Sequence, residues 1–474
     1  MDHKSLMTLI TAVALPSCFY ACQKKEKMNV LFIIADDLRP ELGCYGFPVQ
    51  SPNIDRLAAQ GTVFHQAYCS VPVSGASRSS LLTGTRPTRY RFLSHDAFAQ
   101  TDNPQAETMP DYFRKNGYYT IARGKVFHFP MDSEFSWNEL WSPYDTCFFW
   151  RDYQLPENIE IDKKRGFNYG SYPFEMAEVD DTAYYDGKTL KYVIADLGRV
   201  KEKKQPFFLA VGFRKPHLPF NSPKKYWDLY QREYFLLPDN YRDSNGAIPK
   251  SAYHNFGELR AYYGIPAQGE IPDSIAISLL HGYYACISYV DHLIGQILNE
   301  LERLNLRKNT IVVLIGDHGW NLGEHGIWCK HANFHTSLNA PMIVSVPGMK
   351  QGQHTRSITE FIDIFPTLLD LCGLEQLPQL EGKSFVPVLN DENHVVKEYA
   401  VCKWRNGLTL RLGNYSYTEW RDDKDKVLSR MLFDHAVDPD ENNNIAELPE
   451  NENLVNMLSS KSLEYRGADY LKKQ

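Results

Sequence analysis

Four stretches of the chain place charged or proton-handling groups directly behind an apolar run. Asp36 and Asp37 follow "NVLFIIA", and Lys125 and His128 follow "YYTIARG". Lys215 and His217 follow "PFFLAVGFR", and Asp317 and His318 follow "TIVVLIG". Three aspartates gathered in one place repel one another unless a cation sits among them. Hard carboxylate oxygens favour Ca²⁺ or Mg²⁺. An adjacent aspartate pair alone is an ordinary solvated strand end; Asp317 and His318 turn the balance toward a metal site. His318 is the unusual member, since Ca²⁺ takes oxygen ligands far more readily than nitrogen.

A fifth stretch, "VPVSGASRSSLLTGTRP", supplies a nucleophile. Its small polar residues run into Leu81-Leu82 and then Thr83-Gly84, which reads as a short helix starting near Ser74. Free N–H groups and the helix dipole favour anions at such a start. Arg78, one turn on, reaches the same point. With Lys125, His128, Lys215, His217 and Lys330 around a metal, the set describes a site for a tetrahedral oxyanion held by charge-assisted bonds. A metal, a hydroxyl and clustered cations together point to hydrolysis of a phosphate or sulfate ester. Each of these cations taken singly reads as a surface charge or a satisfied histidine.

The elements that would position these groups are legible as well. Short, continuous apolar runs are buried strands of a largely parallel sheet, and open α/β sheets bind ligands beyond the carboxyl ends of their strands. "MPDYFRKNG", with Pro near its start and Gly past its end, reads as a helix. "AISLLHGYYACISYVDHLIGQILNELERLN" reads as a long one and "TEFIDIFPTLLDLCG" as a shorter one, kinked or started by Pro366. After "EGKSFVPVLNDENHVVKEYA" the pattern changes to strands, turns and a final helix, a separate α+β piece. The expected organisation is a leader at 1–22, a catalytic domain at 27–385 and a smaller subdomain at 386–474.

Composition narrows the class. Of 474 residues, 43% are hydrophobic and 23% charged, an ordinary globular profile, and the net charge of −7 gives no electrostatic case for nucleic acid. The opening "MDHKSLMTLITAVALPSCFYACQKKEK" has the short apolar run of an export signal. Its "LPSC" or "FYAC" resembles a lipoprotein cleavage site, with Cys18 or Cys22 as the lipidated residue and a lipid anchor as the only membrane contact. The remaining cysteines lack CxxC spacing, which speaks against zinc and a dense disulfide framework.

"SGASRSSLLTG" resembles the signature of the sulfatase family, in which Cys or Ser is followed two residues on by Pro or Ala and four on by Arg. "SPNIDRLAAQGTVFHQAYC" is similar to the segment that precedes it. "GKVFH", "FRKPHLPF" and "DHGWNLGEHGIWCKHANF" resemble the iduronate-2-sulfatase branch. The likeness runs from about Asn29 to "LFDHAVDPDENNNIA". It implies an α/β, alkaline-phosphatase-like large domain with a mostly parallel central sheet flanked by helices. A smaller C-terminal α+β domain with an antiparallel sheet would follow. It also implies that Ser74 is oxidised to formylglycine (3-oxoalanine), whose hydrated aldehyde attacks the ester sulfur.

By the same resemblance, Asp36, Asp37, Asp317, His318 and residue 74 would surround Ca²⁺. Arg78 and Lys125 would stabilise the diol, His128 would assist its breakdown, and His217 and Lys330 would contact sulfate or protonate the leaving oxygen. The branch implies release of the 2-O-sulfate from a non-reducing-end uronic acid in heparan or chondroitin fragments. Lys330 and His331 are candidate partners for its anionic groups. Trp320 is either an apolar wall for the ring or a core aromatic. Serine at position 74 implies maturation by an anaerobic enzyme of the radical type, and the leader implies a bacterial periplasmic protein or outer-membrane lipoprotein. Two other readings stand beside this one. A phosphomonoesterase or phosphonate hydrolase of the same fold would use unmodified Ser74; an inactive glycan-binding protein would have lost site residues, and none is lost.

Overall fold

The computed structural model describes residues 27–142, 151–166, 168–242 and 247–471. The expected leader, with Cys18 and Cys22, lies outside them, as does Cys147. The apolar runs are strands of one eight-stranded sheet. Asn29–Ala35 lies between Phe207–Phe213 and Thr310–Gly316, parallel to both. Tyr119–Gly124 and Glu139–Trp141 extend the sheet beyond Phe207–Phe213. On the other side come Met342–Ser345, Thr62–Phe64 and Gln353–Thr355, of which Met342–Ser345 runs antiparallel to both neighbours.

A parallel strand covered on both faces is apolar at every position instead of alternating. In the central strand Leu31, Ile33 and Ala35 enter one core, and Val30, Phe32 and Ile34 enter the other. The helices Tyr185–Lys203 and Asp273–Arg303 close the first core. Ser74–Thr83, Met109–Lys115 and Ile364–Cys372 close the second. Two of these helices show the local cause of their ends. Thr108 accepts from the Asp111 N–H to start Met109–Lys115, with Pro110 in its first turn. Glu360 and Asp363 cap each other's backbone ahead of Ile364–Cys372, where Pro366 occupies the first turn, and left-handed Gly373 ends it.

After residue 398 the chain forms an antiparallel meander of Tyr399–Trp404, Gly407–Leu412, Tyr415–Arg421 and Val427–Asp434. The helix Glu452–Leu471 sets Val455 and Leu458 against Val401, Leu410, Tyr417 and Leu432, a small core of its own. Among the described residues no helix is long and apolar enough to cross a membrane. The six cysteines described, Cys44, Cys69, Cys286, Cys329, Cys372 and Cys402, carry free thiols.

Candidate active site

The sheet register decides what meets. Ala35 pairs with both Phe213 and Gly316, and Gly124 pairs with Gly212, so four strands end at one level. The next residues on three of them are Asp36, Asp317 and Lys125. Asp37 adopts a left-handed turn (φ 61°) and also reaches the site, with its N–H donating to Asp317 Oδ1 at 3.0 Å. Gly212 is forced by a close approach: a Cβ there would lie 1.8 Å from the Lys125 carbonyl oxygen.

Ser74 is the first residue of the helix Ser74–Thr83, with extended Val73 as its cap. Its hydroxyl lies 3.0 Å from Asp36 Oδ1 and 3.1 Å from His318 Nε2. Arg78 brackets the carboxylates, donating from Nε to Asp317 Oδ2 at 2.9 Å and from Nη2 to Asp36 Oδ1 at 3.1 Å. Its Nη1 donates to the carbonyls of Lys125 and Val126. Lys125 donates to Asp36 Oδ2. Lys330 donates to both oxygens of Asp37 at 3.1 Å and to Glu258 at 2.9 Å. His217 Nε2 lies 3.1 Å from Glu258 and 3.8 Å from Asp37.

Four carboxylates thus share one buried site with Arg78, Lys125 and Lys330, and the field divides them. Burial alone would raise Asp36, but Lys125, His217, Arg78 and Lys330 hold it well below the usual carboxylate range. Burial pushes Asp37 well above that range, with Asp36, Glu258 and Asp317 adding to the rise against Lys330. A carboxylate so destabilised as an anion is what a cation would relieve. Ligand atoms of Asp37, Asp317 and His318 lie within 4.8 Å of one another. His318 Nδ1 faces the Gly319 carbonyl at 2.9 Å, which places its proton there and leaves the Nε2 lone pair toward the aspartates. The donor set fits a hard divalent cation.

The sulfatase family model matches residues 28–374, well over half the sequence. The chain is a member of the sulfatase family. It is a sulfuric ester hydrolase of the alkaline-phosphatase-like fold. A second model, described as the C-terminal part of N-sulphoglucosamine sulphohydrolase, matches residues 323–467. Iduronate 2-sulfatase of Mus musculus is 33% identical over 419 residues, covering 80% of this chain and 75% of its own length. A sulfatase of Formosa agariphila is 30% identical, covering 90% of this chain and 86% of its own. In structure the chain resembles a phosphonate monoester hydrolase from Silicibacter pomeroyi, with a TM-score of 0.75 and 21% identity. That likeness spans 94% of this chain and 96% of the hydrolase, and speaks for the fold alone.

Not every charged residue at a strand end reaches the centre of this sulfatase. Lys215 turns back on its own loop and donates to the carbonyls of His217 and Pro219. Trp320 is 1% exposed and lies beneath Lys330, whose ammonium sits 4.8 Å from the ring centroid. It therefore packs in the core and offers no face to a sugar ring. His331 stacks on Trp404 of the C-terminal sheet at 4.8 Å between ring centroids. His128 is half-buried, its Nδ1 shielded from solvent with no partner, and desolvation, then Lys125, holds it well below the usual histidine range. Glu258, on the turn Gly257–Arg260, was not anticipated: it is one acidic residue in a loop with no motif around it.

Two desolvated histidines, one buried and one half-buried, predict acid lability. His217 is held down to about 4 by burial and then by Lys330, and His254 to about 4 by burial and then by Arg405. Unfolded, both titrate near 6.5, so between pH 6.5 and 4 the folded chain binds fewer protons than the unfolded one. The stability of the neutral rings is present above pH 6.5 and is lost as pH falls through 4. The melting temperature should drop across this window, and His254→Gln should flatten the drop. Identical slopes for wild type and variant would contradict the assignment.

Proposed function

We propose that the chain removes the 2-O-sulfate from a uronic acid, iduronate or unsaturated uronate, at the non-reducing end of a sulfated glycosaminoglycan fragment. The observation that carries this reading is the one-third identity to iduronate 2-sulfatase over most of both chains. The site supports it by chemistry. Ser74 lies at a helix N-terminus among cations, where an anionic ester is attracted and held. Oxidised to formylglycine, residue 74 would supply the hydrated aldehyde that attacks sulfur. Ca²⁺, held by Asp36, Asp37, Asp317, His318 and residue 74, would supply a Lewis acid for a sulfate oxygen.

The chain's own residues divide the remaining work. Arg78 fixes Asp36 and Asp317, so its influence on the reaction passes through those carboxylates. Lys125, pushed down by burial against the pull of Asp36, gives positive charge to the nucleophile's surroundings. His128, neutral and without a partner on Nδ1, can take a proton from the spent nucleophile. His217, on the loop after Phe207–Phe213, would protonate the leaving oxygen, and the Glu258 carboxylate 3.1 Å from its Nε2 orients the ring. His331 and Lys330 are the candidate partners for the sugar's own charges. Maturation of Ser74 falls to an anaerobic enzyme of the radical type, acting on a chain exported through residues 1–22 to the periplasm or an outer-membrane lipid anchor.

The deciding assay gives matured enzyme matched disaccharides carrying one sulfate each. Release of 2-O-sulfate from uronate is expected, with hexosamine 6-O-sulfate and a phosphonate monoester left largely untouched. A preference for the 6-O-sulfate would overturn the position while leaving a sulfatase. Lys330→Ala should lower kcat/KM for the uronate substrate about ten- to a hundredfold, the cost of one charge-assisted contact in a buried site. Unchanged kcat/KM would remove Lys330 from the site.

A further inference from the structure

A cavity of ≈ 550 Å³ opens between the loop after the Ser74–Thr83 helix and the C-terminal sheet. Its lining includes Arg89, Lys403, Arg405, Arg421 and Arg466 against two carboxylates, Asp422 and Asp423. These cations are held by the protein: Arg89 pairs with Asp425, Arg421 with Glu419, and Lys403 donates to the Thr88 carbonyl. Arg466 donates to the carbonyls of Asn406 and Glu419, which fixes its guanidinium in place. Burial, with Arg421 and Arg89 crowding it against the pull of Glu419 and Asp425, holds Arg466 below the usual arginine range. Five cations stand against Asp422, Asp423 and the partner carboxylates Asp425 and Glu419, which leaves the wall one positive charge in excess. Tyr90, 53% exposed, and Leu93 supply an apolar rim.

The cavity adjoins the reaction centre. Val71, three residues before Ser74, is part of its lining. Trp404 packs on the cluster of Val71, Val73 and Ala76 around that same helix start, and its ring stacks on His331, next to Lys330. Arg405 is exposed at the hairpin tip, with its guanidinium 5.6 Å from the Trp404 ring centroid. A chain of sugars leaving the site past Trp404 would meet Arg405 first and the other cations beyond it. Several fixed cations with an aromatic rim suit a sulfated sugar chain better than a single small anion.

We propose that this cavity is a distal subsite for the sulfate or carboxylate groups of sugars on the reducing side of the target residue. The sulfatase then binds longer sulfated fragments more tightly than disaccharides. This rests on the reading of a sulfated glycan substrate, and its test does not require turnover. Calorimetry on the protein carrying unmodified Ser74 would compare heparin-derived di-, tetra- and hexasaccharides. Kd is expected to fall at least about tenfold from di- to hexasaccharide, one extra charge-assisted contact, and more steeply at low salt. Arg405→Glu should erase that gain while leaving the disaccharide Kd within about twofold. Equal affinity at all lengths in the wild type, or a gain that survives Arg405→Glu, would overturn the subsite. Failure of the uronate reading shows elsewhere, as no release of 2-O-sulfate by matured enzyme.

Discussion

Ser74→Ala is expected to abolish sulfate release, a loss of about 10⁵-fold or more, because on the proposed mechanism residue 74 carries the attacking oxygen. The hydroxyl occupies one point 3.0 Å from Asp36 and 3.1 Å from His318, and no other hydroxyl is recorded against either group among the described residues. The variant should still fold. Asp36 keeps its bonds from Arg78 and Lys125, so the change in stability should stay within about 1 kcal/mol. Mass spectrometry of the active wild type should find the peptide containing residue 74 lighter by two hydrogens, the mark of serine oxidised to an aldehyde. Ser74→Cys should be active when made in a host that matures only cysteine. Full activity from protein with wholly unmodified Ser74 would move the chemistry to direct attack by serine, as in the phosphonate-hydrolase reading.

What the sequence revealed of this site follows from what a strand can encode. A parallel strand buried on both faces must be apolar along its length, so its end is marked by the first charged residue. Asp36 and Asp317 stand out for that reason; Lys125 is less plain, since Arg123 interrupts its strand and is paired with Asp196 and Glu139, and the parallel register then brings all three together. Side-chain direction is not written in the same way. Lys215 and His217 share one loop, yet Lys215 bonds its own backbone while His217 reaches Glu258 and the neighbourhood of Asp37. Trp320 stands three residues from Asp317 and is buried nonetheless. Glu258 is 72 residues from Lys330 in the chain, and no spacing rule connects them. Trp404 and Arg405 were hidden for a related reason: a hairpin tip in a separate sheet carries no sign of the distant loop it covers.

Removal of divalent cations is expected to abolish turnover and also to lower the melting temperature, with Ca²⁺ restoring both better than Zn²⁺. Asp36, Asp37, Asp317 and Glu258 crowd one site; Arg78, Lys125 and Lys330 offset part of that charge, and Asp37 is left pushed well above its ordinary range. A cation bound there converts this repulsion into attraction. Bound at a thousandfold excess over Kd, it stabilises the folded chain by about 4 kcal/mol. Carboxylate-rich donors favour Ca²⁺ over Zn²⁺, which prefers nitrogen and sulfur. The thermal readout separates binding from catalysis, so it can be taken on protein with unmodified Ser74. Asp37→Asn replaces a proposed charged ligand with little change in shape. The variant should lose most of the Ca²⁺-dependent rise in melting temperature, and its metal-free form should melt no lower than metal-free wild type, since one member of the repelling group is gone. A wild type that keeps full activity and an unchanged melting temperature after chelation, with no metal found on elemental analysis, would contradict the metal site. The buried aspartates would then have to be balanced by Arg78, Lys125 and Lys330 alone.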